Sequence, residues 1–359
     1  MNKLYSLLLL TISLFFFLFL FSCADHEHTS NEDNSHLHQH PFDGHTFSDV
    51  FKGEEQETIV CYKKTHRNSF YLTMFLLVGI AGVSFNMYRI KKKSSNALSI
   101  SHKIIEEKNK DILDSINYAK RIQNSIMPSS SLPLGFEGFI LYQPKDIVSG
   151  DFYWYKQEGD KLFIAAVDCT GHGVPGAFLS ILGAQALQTA FTEDKENGTS
   201  MMLKKMNALV HHSLKGNIET ELSDGMEVAL CIFDRISGKL QFSGAGRPLI
   251  VISKGELSEY KSSKLTIGAA STTTSFHEQE IELKEGDSFF IYSDGYADQF
   301  GGERNKKYNV TRLKALLTSM ALLPAIKQKE LFSSTLKKWK GDFEQVDDIL
   351  VIGIQKTSK

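Results

Sequence analysis

Four acidic residues stand where apolar segments begin or end. Asp151 sits in Ser149-Gly150-Asp151-Phe152-Tyr153-Trp154, and Asp168 directly follows the apolar run 162–167. Asp294 sits in Ser293-Asp294-Gly295 after residues 288–292, and Asp347 with Asp348 directly precedes residues 349–353. A carboxylate at the end of a buried strand has a fixed position, and a neighbouring glycine lets a backbone carbonyl or a ligand approach closely. A single Asp before a glycine turn is most often a turn residue. Four of them converge if their strands belong to two stacked sheets sharing one edge. Hard oxygen ligands of this kind suit Mg²⁺ or Mn²⁺, which keep several waters and bridge to phosphate. Two such ions about 3.5–4 Å apart lower the pKa of a bridging water, align it for in-line attack and neutralise phosphoryl oxygens. No protein nucleophile is then needed.

The elements that must position these groups are legible in outline. Residues 161–167, 227–233, 239–243, 248–253, 288–292 and 349–355 are apolar or alternating, with turn signals such as Ile236-Ser237-Gly238 between them, and read as strands joined by hairpins. Residues 176–191 and 310–323 read as amphipathic helices covering the sheets. Runs of strands with inserted helices predict an α+β architecture.

Other chemistries are excluded by what is missing. Cys23, Cys61, Cys169 and Cys231 fall far apart without a CxxC pair, against both a disulfide scaffold and structural zinc. Catalytic zinc is disfavoured because the C-terminal region offers no paired Cys/His set. Cys169 is followed by Gly and Pro rather than a phosphate-cradling loop ending in Arg, so it is a poor nucleophile. Cys231 reads as core. A net charge of -2 gives no long-range attraction for a polyanion, so nucleic acid is excluded as the expected partner.

The first ninety residues carry two dense apolar runs. Residues 4–21 follow Lys3 and end at Leu20-Phe21-Ser22-Cys23, as in a lipoprotein signal with Cys23 as the lipidation candidate. The alternative is that they remain as a first membrane helix. Residues 24–69 form a short His-rich extracytoplasmic segment with His26, His28, His36, His38, His40, His45 and His66. It reads either as a solvated tether or as a collector of Zn²⁺, Cu²⁺ or Ni²⁺. Residues 70–90 read as a transmembrane helix, and Arg89, Lys91, Lys92 and Lys93 behind it place the remainder in the cytoplasm. In residues 94–127 Leu98, Ile105, Ile112, Ala119 and Ile126 recur every seventh position, whereas the companion stripe holds Ser101, Lys108, Ser115 and Ile122. This suits a signalling helix that dimerises weakly rather than a strong coiled coil. Pro128, Ser129-Ser130-Ser131 and Pro133 then mark a boundary before a domain of residues 132–359.

Residues 144–153 (PKDIVSGDFY), 168–177 (DCTGHGVPGA), Ser293-Asp294-Gly295 and Gln345-Val346-Asp347-Asp348-Ile349 occur in this order, with Asp224-Gly225-Met226 and Gly244-Ala245-Gly246-Arg247-Pro248 between them. Together they resemble the SpoIIE-like branch of metal-dependent (PPM-type) serine/threonine protein phosphatases. The resemblance implies two stacked antiparallel sheets with helices outside, and two Mn²⁺ or Mg²⁺ ions. It implies that Asp151 and Asp168 bridge the ions, with the Cys169 carbonyl as a further ligand, and that Asp294 and Asp347 complete one ion's coordination. Asp348 would support these ligands from behind. In eukaryotic relatives an Arg near the first acidic motif grips phosphate and a His beside the second is a general acid. Here no Arg lies near Asp151, although Lys145 does, and His172, two residues later than that His, is the candidate proton donor.

The expectation is therefore a phosphatase of the inner membrane with its catalytic domain in the cytoplasm. It would hydrolyse phosphoserine or phosphothreonine on a cytoplasmic regulatory protein of the anti-sigma-antagonist type, with homodimerisation through residues 94–127. The competing expectation is a metal-sensing membrane protein in which the His-rich segment is the working part and the cytoplasmic domain a scaffold.

Overall fold

A computed structural model describes residues 47–215, 224–269 and 274–358 of the chain. Cys23 and all of the His-rich segment before Phe47 lie outside the described residues. The chain divides into two compact units, Met1–Asn96 and Ala97–Lys359.

Helix α1, Phe47–Ile126, runs for 80 residues without a break. The sequence suggested separate helices at 70–90 and 94–127 and a polar tether before them. Nothing between the two helices, Lys91-Lys92-Lys93-Ser94-Ser95, stops a helix, and the first proline after its start, Pro128, disfavours helix for the residue before it. An 18-residue window within Thr58–Ile126, of mean hydropathy 1.7, is long and apolar enough to cross a membrane, and none of it is buried. Phe75, Leu77 and Val78 are among its exposed side chains.

The second unit is built from two five-stranded antiparallel sheets. One holds β1 (Glu137–Gln143), β12 (Ile349–Gln355), β9 (Ser288–Tyr292), β6 (Leu249–Ser253) and β7 (Glu256–Tyr260), in that order. The other holds β2 (Phe152–Glu158), β3 (Lys161–Cys169), β4 (Met226–Asp234), β5 (Lys239–Ala245) and β8 (Glu278–Glu282). Helices α2 (Gly173–Asp194) and α3 (Gly198–Lys215) cover the second sheet. After the short α4 (Gly295–Asp298) and the small ribbon of β10 (Phe300–Gly301) and β11 (Lys306–Lys307), helices α5 (Val310–Met320) and α6 (Ala325–Lys340) cover the first. The result is the expected helix–sheet–sheet–helix sandwich. The Gly173–Leu214 stretch is also apolar enough to span a membrane, but Leu187, Met202, Met206 and Val210 pack into the core beneath the second sheet.

Strand alternation sorts side chains between layers. In β3, Leu162, Ile164 and Ala166 face the other sheet while Phe163, Ala165 and Val167 face the helices. Leu350 and Ile352 of β12 likewise face the opposing sheet, and Ile349 and Val351 face α5 and α6. This inter-sheet core, closed by Phe233, Phe242 and Phe289, fixes the relative position of every strand end discussed below. The second compact unit begins at Ala97, and Gln123 near the end of α1 is buried in it.

Candidate active site

The inter-sheet series of β3 continues one residue past Ala166 and Val167 to Asp168, at the mouth of the sandwich. Phe152 of β2 pairs with Val167, so the next position along this antiparallel register places Asp151 opposite Asp168. From the other sheet, fully buried β9 delivers Ser293 and Asp294. Ser293 donates its N–H to Leu350 O at 3.0 Å and accepts Leu350 N–H at its hydroxyl at 3.0 Å. That clasp sets Asp294 beside Asp347 and Asp348. Gly295 is required there, because a Cβ would lie 2.0 Å from the Asp348 carbonyl oxygen.

The four sequence-predicted aspartates come together, in different surroundings. Asp151 is 3% exposed and its Oδ2 is buried without a hydrogen-bond partner. Burial, and next the Asp168 charge, hold its carboxyl well above the usual carboxylate range. Burial also lifts Asp168; Arg247 opposes this, Asp294 adds to it, and the carboxyl is pushed up to about 7. Asp347 is raised by burial, partly countered by the Asp348 N–H that it accepts at 2.9 Å, with Asp294 and Asp348 charges adding to the rise. Like charges brought into a poorly solvated space shift in this direction when their counter-charge is insufficient.

Asp348 is committed to the backbone: its Oδ1 accepts Lys145 N–H and its Oδ2 accepts Gly150 N–H, both at 2.7 Å. It therefore holds the loop that carries Asp151. Gly150 is pinned from the other side, since a Cβ there would meet Gly171 O at 2.4 Å and Cys169 O at 3.4 Å. The Cys169 carbonyl thus lies close behind the Asp151 loop. Its thiol is buried, and burial, followed by Asp151 and Asp168, pushes its pKa far up, which removes it as a thiolate nucleophile.

His172 stands at the rim between Gly171 and Gly173, both at positive φ (82° and 68°). Its Nδ1 is 2.8 Å from Asp146 Oδ2 and its Nε2 is 2.9 Å from Lys145 Nζ. Because a carboxylate accepts and an ammonium donates, Nδ1 carries the hydrogen and Nε2 accepts. The histidine is half exposed and near the aspartates' loop rather than among them.

Two groups escaped the sequence reading. Arg247, in the turn that carries the chain from β5 of one sheet to β6 of the other, puts Nη2 2.8 Å from both Asp168 Oδ2 and Asp294 Oδ2, and Nε 2.7 Å from Glu227 Oε2. Burial works against its charge, yet Asp168, Asp294 and Glu227 outweigh that and raise its pKa. Among the described residues no three His, Cys, Asp or Glu side chains are grouped closely enough to hold a metal ion as they stand. Gln123 of α1 is the other: its Nε2 donates to Ser149 O at 2.6 Å and Ser180 Oγ at 2.7 Å, and its Oε1 accepts Ser149 N–H at 3.2 Å. The Gly-Ala-Gly-Arg-Pro string stood among the strings that carry the family resemblance, with no role given to Arg247; an isolated Gln on a polar helix carried no signal at all.

The residues fit hard divalent cations. The donors are oxygens, the clustered carboxylates lack enough positive charge, the Ser293 hydroxyl only partly offsetting the rise at Asp151, and the buried Asp151 Oδ2 makes no hydrogen bond. The sequence profile of the SpoIIE family, Stage II sporulation protein E, matches residues 158–357. The chain belongs to the SpoIIE family. The membership makes the sandwich a PP2C-type phosphatase domain and the chain a serine/threonine phosphoprotein phosphatase. Among solved structures, the SiaA-PP2C domain of Pseudomonas aeruginosa is 32% identical, with a TM-score of 0.61 over 69% of this chain and 98% of that one. The RsbU and RsbW domains of a Mycobacterium tuberculosis protein share the fold at 20% identity and a TM-score of 0.50, over 64% of this chain and 62% of that one. No curated protein sequence matches the chain.

Proposed function

We propose that this SpoIIE-family phosphatase is membrane-anchored through residues 70–90 and uses two Mn²⁺ or Mg²⁺ ions to dephosphorylate phosphoserine or phosphothreonine on a cytoplasmic regulatory protein. The observation that carries the metal-dependent reading is the buried, unpartnered Oδ2 of Asp151 opposite Asp168. An uncompensated carboxylate oxygen in such a place is costly unless a cation completes it.

In this reading Asp151, Asp168, Asp294 and Asp347, together with the Cys169 carbonyl, would hold the ions. Bound there, the ions supply an acidified water and neutralise phosphoryl charge. The chain does the rest. Asp348 holds the Asp151 loop through Gly150 and Lys145, and the inter-sheet core keeps the carboxylates in register. His172 stands at the rim as the candidate proton donor: its Nδ1–H is held by Asp146, and its Nε2, which accepts from Lys145, would pass a Lys145 proton on to the leaving serine or threonine oxygen. Exposed Leu98, Ile105 and Ile112 support weak pairing of two chains along residues 94–127. Small regulators of the anti-sigma-antagonist type are the substrate class that the family membership suggests.

The test is turnover of para-nitrophenyl phosphate by the full chain in detergent. Activity should require Mn²⁺ or Mg²⁺, vanish with EDTA and vanish in Asp168→Asn; turnover that ignores chelation would end the metal-dependent reading. Phosphoproteomics of a deletion strain should show the substrate accumulating phosphate on Ser or Thr.

A further inference from the structure

The β5–β6 turn holds a guanidinium whose two edges are treated differently. Arg247 keeps only 13% of its side chain exposed. Its Nε lies 2.7 Å from Glu227 Oε2 as an ion pair, though not aligned for a hydrogen bond, and its Nη2 lies 2.8 Å from both Asp168 and Asp294. Glu227 stands opposite Asp168 in the register, between buried Met226 and Val228. Gly246 makes the Glu227 grip possible: its φ is +77° and a Cβ there would lie 2.5 Å from the Glu227 carboxyl carbon. Among the described residues no other arginine forms an ion pair with Asp151, Asp168, Asp294 or Asp347.

One arginine against three carboxylates leaves the group net negative, so the Nη edge is not needed to balance Glu227 alone. The oxygens it touches, on Asp168 and Asp294, are those assigned to cations in the proposed function, on which this inference rests. With cations on these oxygens the Nη edge loses its protein partners, while Glu227 still holds Nε. What remains is a planar fork, fixed in direction and poised at the carboxylate cluster, which is the geometry that binds phosphoryl oxygens in pairs. We propose that Arg247 grips the phosphoryl group of the substrate, with Glu227 as its positioning residue. It would do from the sheet-to-sheet turn what the first acidic motif, lacking arginine, does not.

The test uses the full chain in detergent with Mn²⁺ and three readouts: calorimetric binding of inorganic phosphate, the kcat and KM for para-nitrophenyl phosphate, and Mn²⁺ affinity. Wild-type turnover and Mn²⁺ binding stand or fall with the proposed function, independently of Arg247. Given both, Arg247→Ala should weaken phosphate binding by about 10- to 100-fold, the range for losing a charge-assisted bond to a phosphate. It should raise KM more than it lowers kcat, and leave Mn²⁺ affinity equal or tighter. Arg247→Lys, which keeps the charge without the fork, should fall between Ala and wild type, and it serves as the folded variant should Ala not fold. Glu227→Gln should weaken phosphate in the same direction by less. Wild-type phosphate affinity in both Arg247 variants would overturn the proposal, as would weakened Mn²⁺ binding with phosphate affinity intact, which marks a structural counter-ion only.

Discussion

Gln123→Met is the substitution that best tests how the end of α1 is joined to the catalytic sandwich. Gln123 is 4% exposed, and both Ser149 (0%) and Ser180 (1%), which it contacts, are buried. Methionine keeps length and volume but makes none of the three hydrogen bonds. Ser180 Oγ retains its bond to Ala177 O at 2.8 Å, so the loss falls on the N–H and C=O of Ser149. A buried polar group left unsatisfied costs about 1–3 kcal/mol, and two such groups, partly relaxed, give about 3 kcal/mol here. Urea unfolding followed by tryptophan fluorescence reads this directly, since Trp154 lies in the core beneath α2. Ser149 stands two residues before Asp151, and its Oγ donates to the Asp151 carbonyl at 2.9 Å. The same substitution should therefore raise the Mn²⁺ concentration needed for half-maximal turnover. A loss below about 0.5 kcal/mol, the level of an ordinary surface change, together with unchanged Mn²⁺ activation, would refute the reasoning.

Asp151→Asn should abolish metal-dependent turnover and yet raise the melting temperature in EDTA at pH 8, because an acid whose folded pKa is raised destabilises the fold when ionised; a lower melting temperature would contradict the burial argument. Metal-free protein should lose stability as pH rises from about 4 towards 7, because Asp168, moved from 3.8 to about 7, binds a proton in the folded state that it has released in the unfolded one. The slope should approach about -1.4 kcal/mol per pH unit for that group, and a rising or flat profile in chemical denaturation would reject it. Apparent Mn²⁺ affinity should fall about tenfold per unit below pH 7 as the same carboxyl takes up its proton, which titration at pH 6 and pH 8 would check. Gly150→Ala drives a Cβ to 2.4 Å from Gly171 O and 3.5 Å from Gly176 Cα; backbone against backbone cannot yield cheaply, so a loss of about 3 kcal/mol is expected, and a wild-type urea midpoint would disprove the contact.

Much of the central architecture was readable along the chain because buried strands write themselves in period two. The six strands read from the sequence coincide with β3, β4, β5, β6, β9 and β12, and the two helices with α2 and α5. Edge strands β7 and β8 left no such mark, since neither Glu256–Tyr260 nor Glu278–Glu282 contains a fully buried residue. Helices α3 and α6 were passed over among charged residues, although Phe332 and Leu336 of α6 are buried.

For the site, the strings around Asp151, Asp168, Asp294 and Asp347 named the acids and their chemistry, because a carboxylate at a strand end is a local feature. What lay opposite what was decided by the fold alone. Strand β1 pairs with β12 from the far end of the domain, Asp348 holds the backbone of Lys145 and Gly150, and Arg247 meets Asp168, Glu227 and Asp294 only because one turn crosses between sheets. Residue type and spacing determine which groups are able to bind a cation or a phosphate. Their mutual distance, and with it each shifted pKa, depends on how separate segments stack, because electrostatic energy is set by separation in space and by exclusion of water, neither of which is written at any single position.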